Sequence, residues 1–347
     1  CWEIEGDSGR CWEIEGDSGR CWEIEGDIGR YRVTAPWSEL QVDGLLGEGG
    51  GSKVLLVRHS PIGHAGTPAV AEVAPGGKIA PRSRRDRAEM PPGGGTPNGG
   101  APGGRGDNQR GGGREPAEFA LKCVSKRLLA ARGTALHAAR ERRALQACDH
   151  PFVCRYVAAF QDNEQLFLLA EAVRGCELFY LLREAPRLDP SAAALYTAMT
   201  LAAIGHLHER GWVHRDLKPE NLVLDAEGYL KLVDLGLARE LAPGERAWTL
   251  CGTAEYVAPE VVRGGGYGEQ ADFWSLGVLL FEMLAGYPPF CADTTLGVLD
   301  LSLRCEPSYP AHFPPAAKAL VGALLARQPR QRLGRSALTL TLTLTLT

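Results

Sequence analysis

The chain of 347 residues contains no run of about eighteen apolar residues, which argues against a membrane-spanning helix. It has no excess of positive charge either. With 38 Lys and Arg against 42 Asp and Glu, its formal net charge is −4, so a broad electrostatic grip on nucleic acid or an anionic membrane is not indicated. The ten cysteines show no metal-ligand spacing, and no signal peptide precedes them. They read as reduced thiols of a cytoplasmic protein rather than a disulfide framework. An initiator Met is missing, and the opening Cys1 suggests a fragment or a processed product. What remains is a 44% hydrophobic share, ordinary for a globular core, in a chain long enough for one large domain or two small ones.

Composition divides the chain. Residues 1–30 are three copies of one decapeptide, CWEIEGDSGR twice and CWEIEGDIGR once. A repeat so poor in apolar residues buries no core, so 1–37 is expected to be a disordered tail. From Ser38, SELQVDGLL and VLLVRH read as two strands joined by the glycine turn GEGGGSK. Between 59 and 115, 15 of 57 residues are Gly and 8 are Pro, the composition of a disordered insertion. Its run PRSRRDR (81–87) reads as solvated basic charge. Order is expected to resume with a strand over 118–126, a helix over 134–148, a strand pair around RYVAAF and QLFLLAEAV, and helices through ELFYLLREA and SAAALYTAMTLAAIGHLHER. A strand-rich part therefore precedes a helix-rich part. The final ALTLTLTLTLT alternates like a strand without charged gatekeepers, so 337–347 is set apart as a low-complexity tail.

The chemistry concentrates in four places. LGEGGGSKV (46–54) offers bare backbone of the kind that approaches phosphates closely, although such hairpins are mostly plain turns. FALK ends a strand on Lys122, and Glu141 follows 19 residues later on an amphipathic helix; paired, they suit the α- and β-phosphates of a nucleotide. HRDLKPEN (214–221) is the most specific signal. Phosphoryl transfer needs positioning and charge neutralisation. Asp216 suits acceptance of a hydroxyl proton, Lys218 neutralisation of the migrating phosphoryl, and Asn221 ligation of Mg²⁺. The carboxylate that a hard cation also requires is Asp234 of VDLGLA, 13 residues beyond Asn221.

With these motifs and Ala258-Pro259-Glu260 in this order, the chain resembles a eukaryotic serine/threonine protein kinase over residues 40–336. NLVLDAEGYLKLVD, WTLCGTAEYVAPE and DFWSLGVLLFEMLAGYPPF resemble the AGC group, most of all the cyclic-GMP-dependent kinases. The resemblance implies an α+β fold over 38–336: a small antiparallel β-rich lobe with one main helix above a larger, mainly helical lobe. It implies ATP and Mg²⁺ as cofactors. ATP would lie under Leu46, Gly47, Gly49 and Ser52, the last replacing the usual third glycine of the loop. Val54, Ala120 and Val223 would enclose the adenine, with Ala170, Glu171 and Val173 along the connector between the lobes. Ala170 stands where a larger side chain is usual, leaving room for bulky purine analogues.

The same resemblance makes Thr249 an activation-loop phosphosite for an upstream kinase, its phosphate paired by Arg215. Thr253 braces Asp216 and Lys218, Glu260 pairs with Arg332, and Asp272 holds the catalytic-loop backbone. Leu145, Tyr156, His214 and Leu235 form an apolar column between the lobes; Leu235 replaces the commoner Phe at little cost in volume. Glu177, Glu220 and Glu282 coincide with carboxylates that bind arginines, so basic proteins are the expected substrates. The expected function is transfer of the γ-phosphoryl of Mg-ATP to Ser/Thr hydroxyls. The alternative is a nucleotide-binding pseudokinase scaffold, to which Ser52, the insertion and the absent aromatic C-terminal tail lend weight. No cyclic-nucleotide-binding segment is recognisable, so cyclic nucleotide would act only through regions outside this chain.

Overall fold

The computed structural model describes residues 40–49, 52–59 and 117–334. The decapeptide repeats, nearly all of the expected insertion and the terminal Leu-Thr run lie outside these residues. In chain order the strands are β1 (Leu40–Gly49), β2 (Ser52–His59), β3 (Ala117–Ser125), β4 (Tyr156–Gln161), β5 (Gln165–Glu171), β6 (Cys176–Glu177), β7 (Trp212–Val213), β8 (Leu222–Leu224), β9 (Leu230–Leu232) and β10 (Arg239–Glu240). The α-helices are α1 (Lys126–Arg132), α2 (Ala135–Gln146), α3 (Leu178–Glu184), α4 (Pro190–Glu209), α5 (Pro259–Val262), α6 (Gln270–Ala285), α7 (Thr295–Arg304) and α8 (Pro315–Leu324).

The first five strands form one antiparallel sheet in the order β1-β2-β3-β5-β4. Alternation along β2 and β3 puts Val57 and Leu121 on one face, where they meet Val157, Ala158, Phe167 and Leu169 in a small core. The larger core belongs to the helical part and is organised around α6. Apart from Asp272, Ser275 and Glu282, that helix is apolar all round, from Phe273 and Trp274 to Phe281 and Leu284, and so is buried on nearly every side. Gly277 permits this: a Cβ there would lie 2.8 Å from Leu324 Cβ, at the crossing with α8. Two backbone passages are equally tight. A Cβ on Gly175, between the lobes, would fall 1.6 Å from the Leu224 carbonyl oxygen, and Gly286 at φ +88° closes α6 against Pro186. The expected pair of Glu260 and Arg332 forms as a buried fork, Nη1 to Oε1 at 2.7 Å and Nη2 to Oε2 at 2.9 Å, tying α5 to the end of the described chain.

Several boundaries differ from expectation. The glycine segment is largely strand: β1 runs through Gly47 to Gly49, with Gly49 opposite Ser52. His59, placed at the start of the insertion, is the last residue of β2 and pairs with both Leu40 and Ala117. Ladder hydrogen bonds to two neighbours outweigh the Gly/Pro-rich composition of the segment beyond it. Lys126 opens a helix rather than ending a strand, because the Ser125 hydroxyl accepts from Leu128 N–H and Gly133, left-handed at φ +65°, closes the turn. The strand-rich part thus carries a short α1 with no buried residue beside its main helix α2. Among the described residues no helix is long and apolar enough to cross a membrane.

Candidate active site

Lys122, on β3 opposite Val54 and Leu168, reaches two carboxylates from different elements. Its Nζ lies 2.5 Å from Glu141 Oε1 on α2 and 3.4 Å from Asp234 Oδ1 in the turn after β9. Burial alone would lower the ammonium's pKa, but Glu141 and Asp234 together raise it, so Lys122 is held charged. Burial likewise pushes Glu141 upward, opposed by Lys122. For Asp234, burial is outweighed by Lys122, the Gly236 N–H and His214, and the carboxyl is held below the ordinary range. Gly236 N–H donates to the same Oδ1 at 2.7 Å, which fixes the carboxylate's direction.

The catalytic-loop backbone hangs from Asp272 in the first turn of α6. This carboxylate, fully buried, accepts His214 N–H and Arg215 N–H, each at 2.8 Å, and faces His208 Nε2 at 2.7 Å. Arg215 has φ +70°, a left-handed conformation costing about 1–3 kcal/mol for a non-glycine residue, and the two N–H bonds hold it there. The turn aims Asp216 at Thr253, whose N–H and Oγ1 both donate to Asp216 Oδ1, at 3.0 and 2.9 Å. Lys218 Nζ donates to Thr253 Oγ1 at 3.0 Å and lies 3.3 Å from Asp216 Oδ2. Asn221 spends its amide nitrogen on the Asp216 carbonyl at 2.8 Å and Oδ2 at 3.3 Å, so its oxygen stays available. The Asn221 carbonyl accepts Val233 N–H at 3.0 Å, which puts the catalytic loop directly beside Asp234. Lys122, Asp216, Asn221 and Asp234, dispersed over 113 positions of the chain, meet in one place.

Of the residues expected around a nucleotide, Leu46 is exposed on β1, while Val54, Ala120, Ala170 and Val223 are half-buried on β2, β3, β5 and β8. Ala120 pairs with Ala170, so two small side chains face each other across β3 and β5. Glu171 turns one carboxylate oxygen to Lys231 at 2.7 Å and to Arg155 N–H at 3.0 Å; Val173 lies two residues on, half-buried. Leu145, His214 and Leu235 are buried, and Tyr156 packs on the same core.

The three glutamates share one field. Burial and then Glu220 push the Glu177 carboxyl up; burial, Glu220 and Glu255 do so for Glu282, against the hydrogen bond from Tyr256. Glu255, within the turn Ala254–Tyr256, was not foreseen: nothing local in the chain marks it, and the fold alone brings it to the others.

Thr249 is exposed, but Arg215 is not free beside it. Its Nε donates to Leu237 O at 2.7 Å and its Nη1 to the Tyr267 hydroxyl at 3.4 Å. Basic groups that sequence reasoning missed gather around Arg215. Burial lowers the His137 pKa, and Arg140 and Arg215 lower it further; Arg140 is itself lowered by burial, then by Arg239, Arg215 and Arg143. Like charges from α2, the catalytic loop and β10 thus face one another.

A two-lobed domain with a lysine–carboxylate clamp, a braced aspartate and an asparagine–aspartate pair at its centre is the architecture of a phosphotransferase. Comparison with known proteins agrees: a family model described as protein kinase domain matches residues 113–341, and the chain belongs to the protein kinase family. It is 40% identical over 216 residues to the cAMP-dependent protein kinase catalytic subunit of Dictyostelium discoideum, covering 62% of this chain and 33% of that protein. It is 39% identical over 222 residues to cGMP-dependent protein kinase 2 of Homo sapiens, covering 63% and 29%. With the cAMP-dependent protein kinase catalytic subunit PRKX of Mus musculus it shares 42% over 198 residues, covering 57% and 55%. Both cyclic-nucleotide-dependent branches are matched at similar identity, which places the chain in the AGC group, and it spans between about a third and about half of these relatives' lengths.

Because Asp272 holds two N–H groups in a strained turn, Asp272→Asn is expected to destabilise the fold by about 2–3 kcal/mol, since hydrogen bonds to a charged group are lost in a buried place. Urea denaturation measures this; an unchanged midpoint would contradict the role.

Proposed function

We propose that this domain transfers the γ-phosphoryl of Mg-ATP to serine or threonine hydroxyls of basic proteins. The observation that carries the reading is the meeting of Lys122, Asp216, Asn221 and Asp234 in one place. The donors suit a magnesium nucleotide. Asn221 keeps a hard oxygen because its nitrogen is committed to Asp216, and Asp234 is held ionised, its side chain 45% exposed. Such a ligand supplies the phosphoryl group and the cation that neutralises its charge.

The chain's own residues do the rest. Lys122, kept charged between two carboxylates, would hold phosphate oxygens and report whether α2 is docked. Asp216, oriented by Thr253 and Asn221, would orient a substrate hydroxyl and take its proton. Lys218, shared between Thr253 and Asp216, would stabilise the charge of the group in transit. Ala120 and Ala170, both small, would leave space beside an adenine edge. The exposed Thr249 would be phosphorylated by an upstream kinase, and the guanidinium of Arg140 on α2, which faces Arg215 and Arg239, would offer such a dianion a counter-charge.

Labelled ATP with an Arg-rich peptide tests the reading. The unmodified domain is expected to incorporate phosphate, and Asp216→Asn to lower the rate at least about 100-fold, within the range for loss of a general base. An Asp216→Asn variant as fast as its parent contradicts the mechanism. Nucleotide binding with no incorporation by either protein favours the scaffold.

The acidic group makes a pH prediction. Glu177 and Glu282 have pKa values raised above the ordinary 4.5, so they protonate at a higher pH than ordinary glutamates. Arginine binding requires the ionised form. The KM for an Arg-containing peptide should therefore rise as pH falls, beginning above the ordinary glutamate range, and Glu220→Gln should shift that rise to lower pH. A KM flat down to the ordinary glutamate range would contradict the assignment.

A further inference from the structure

The glycine-rich loop between α5 and α6, Gly264 to Gly268, takes no part in the phosphoryl-transfer chemistry, yet it holds the segment that carries Thr249. Gly264 and Gly266 adopt φ +65° and +74°, which only glycine takes without strain. The loop thereby lies flat against residues 246–251. Ala247 and Tyr267 exchange both backbone hydrogen bonds, at 2.8 and 2.9 Å, and Trp248 covers Gly266, where a Cβ would stand 3.0 Å from the indole ring.

Tyr267 is the side chain of this cradle, 4% exposed. Its hydroxyl donates its single proton to the Thr249 carbonyl at 2.7 Å. The oxygen is then left to accept, from Arg215 Nη1 at 3.4 Å and from the Cys251 thiol at 3.6 Å. Burial pushes the phenol up to about 12, so the donated proton stays in place at neutral pH. Beside it is a cavity of about 10 Å³ lined by Arg215, Cys251, Tyr256 and Tyr267, room for about one water. One hydroxyl therefore joins the activation segment to the catalytic loop. Two residues beyond Cys251, Thr253 braces Asp216; between them Gly252, at φ +99°, passes so close that a Cβ would lie 2.7 Å from Arg215 O.

We propose, on the reading of the domain as a kinase, that Tyr267 is a positioning residue: its hydroxyl holds the activation segment on the catalytic loop without a phosphate on Thr249. The bond to Thr249 is to the carbonyl, which phosphorylation leaves untouched. Phosphate and phenol are thus two separate fastenings of one segment, and removing the phenol should cost most when the phosphate is absent.

The test compares Tyr267→Phe with its parent in the Arg-peptide assay, each as a phosphatase-treated preparation and as one phosphorylated on Thr249, verified by mass spectrometry. Tyr267→Phe should lower kcat about tenfold or more without phosphate and less than about threefold with it, as expected when one of two interacting fastenings is removed. The KM for ATP should stay within about twofold. Independently of activity, trypsin should cleave unphosphorylated Tyr267→Phe after Arg246 several times faster than its parent, with melting temperatures alike. Equal losses in both phosphorylation states, or unchanged kcat together with unchanged cleavage, overturn the proposal. An inactive parent is instead the failure of the kinase reading, and the cleavage rates then decide whether Tyr267 fastens the segment.

Discussion

A buried ammonium with two carboxylates is the constraint on which the rest of the structure depends. Lys122 is carried by the sheet, Glu141 by the one long helix of the small lobe, and Asp234 by the larger lobe. Removing both carboxylates would leave the ammonium unpaired where water solvates it poorly, whereas losing one leaves the other to hold it. The ammonium thus specifies how three elements stand relative to one another. His214 extends the arrangement: its ring faces the Asp234 carbonyl at 2.9 Å, while its N–H reaches Asp272 on α6. From Glu141 to the central helix, one chain of polar contacts passes through the site.

A net charge of −4 conceals a strong separation of charge. Glu220 and Glu255 push the Glu282 carboxyl up and Glu220 does so for Glu177, while the guanidinium groups of Arg140, Arg215 and Arg239 repel one another around α2. Each cluster is destabilising by itself, because like charges are held in partly desolvated positions. On the proposed reading each is half of an interaction, with arginines of a substrate in one case and a phosphate in the other. Local concentration of one sign of charge is how a nearly neutral protein selects a charged partner.

What was legible in the chain was what is contiguous. Asp216, Lys218 and Asn221 fall within six positions because one turn presents them, and Asp234 follows 13 positions on, after the short hairpin of β8 and β9. The two-lobed division was legible for the same reason, since strands and helices have different hydrophobic periods. Boundaries depended on finer forces. Ladder pairing drew His59 and Gly49 into strands, and the Ser125 cap with Gly133 made a helix of KRLLAAR, a segment whose pattern carried no distinctive face. Glu255, His137, Arg140 and Tyr267 were invisible, since their significance lies in distant neighbours supplied by the fold, such as Thr249 for Tyr267, 18 positions away, and Arg239 for Arg140, 99 positions away. Arg215 was recognised as important, but its commitments to Leu237 and Tyr267 arise only once the chain is folded.

The central claim is that Lys122, Asp216, Asn221 and Asp234 serve a single magnesium nucleotide. Calorimetric titration of a non-hydrolysable ATP analogue, with and without Mg²⁺, tests it most directly in the parent, Asn221→Ala and Asp234→Asn proteins. The account predicts that Mg²⁺ tightens binding to the parent about tenfold or more, and that either substitution removes most of that gain, as loss of a carboxylate or carbonyl ligand requires. A magnesium-dependent gain that survives in both variants would mean that the metal is held elsewhere, and the account would be wrong.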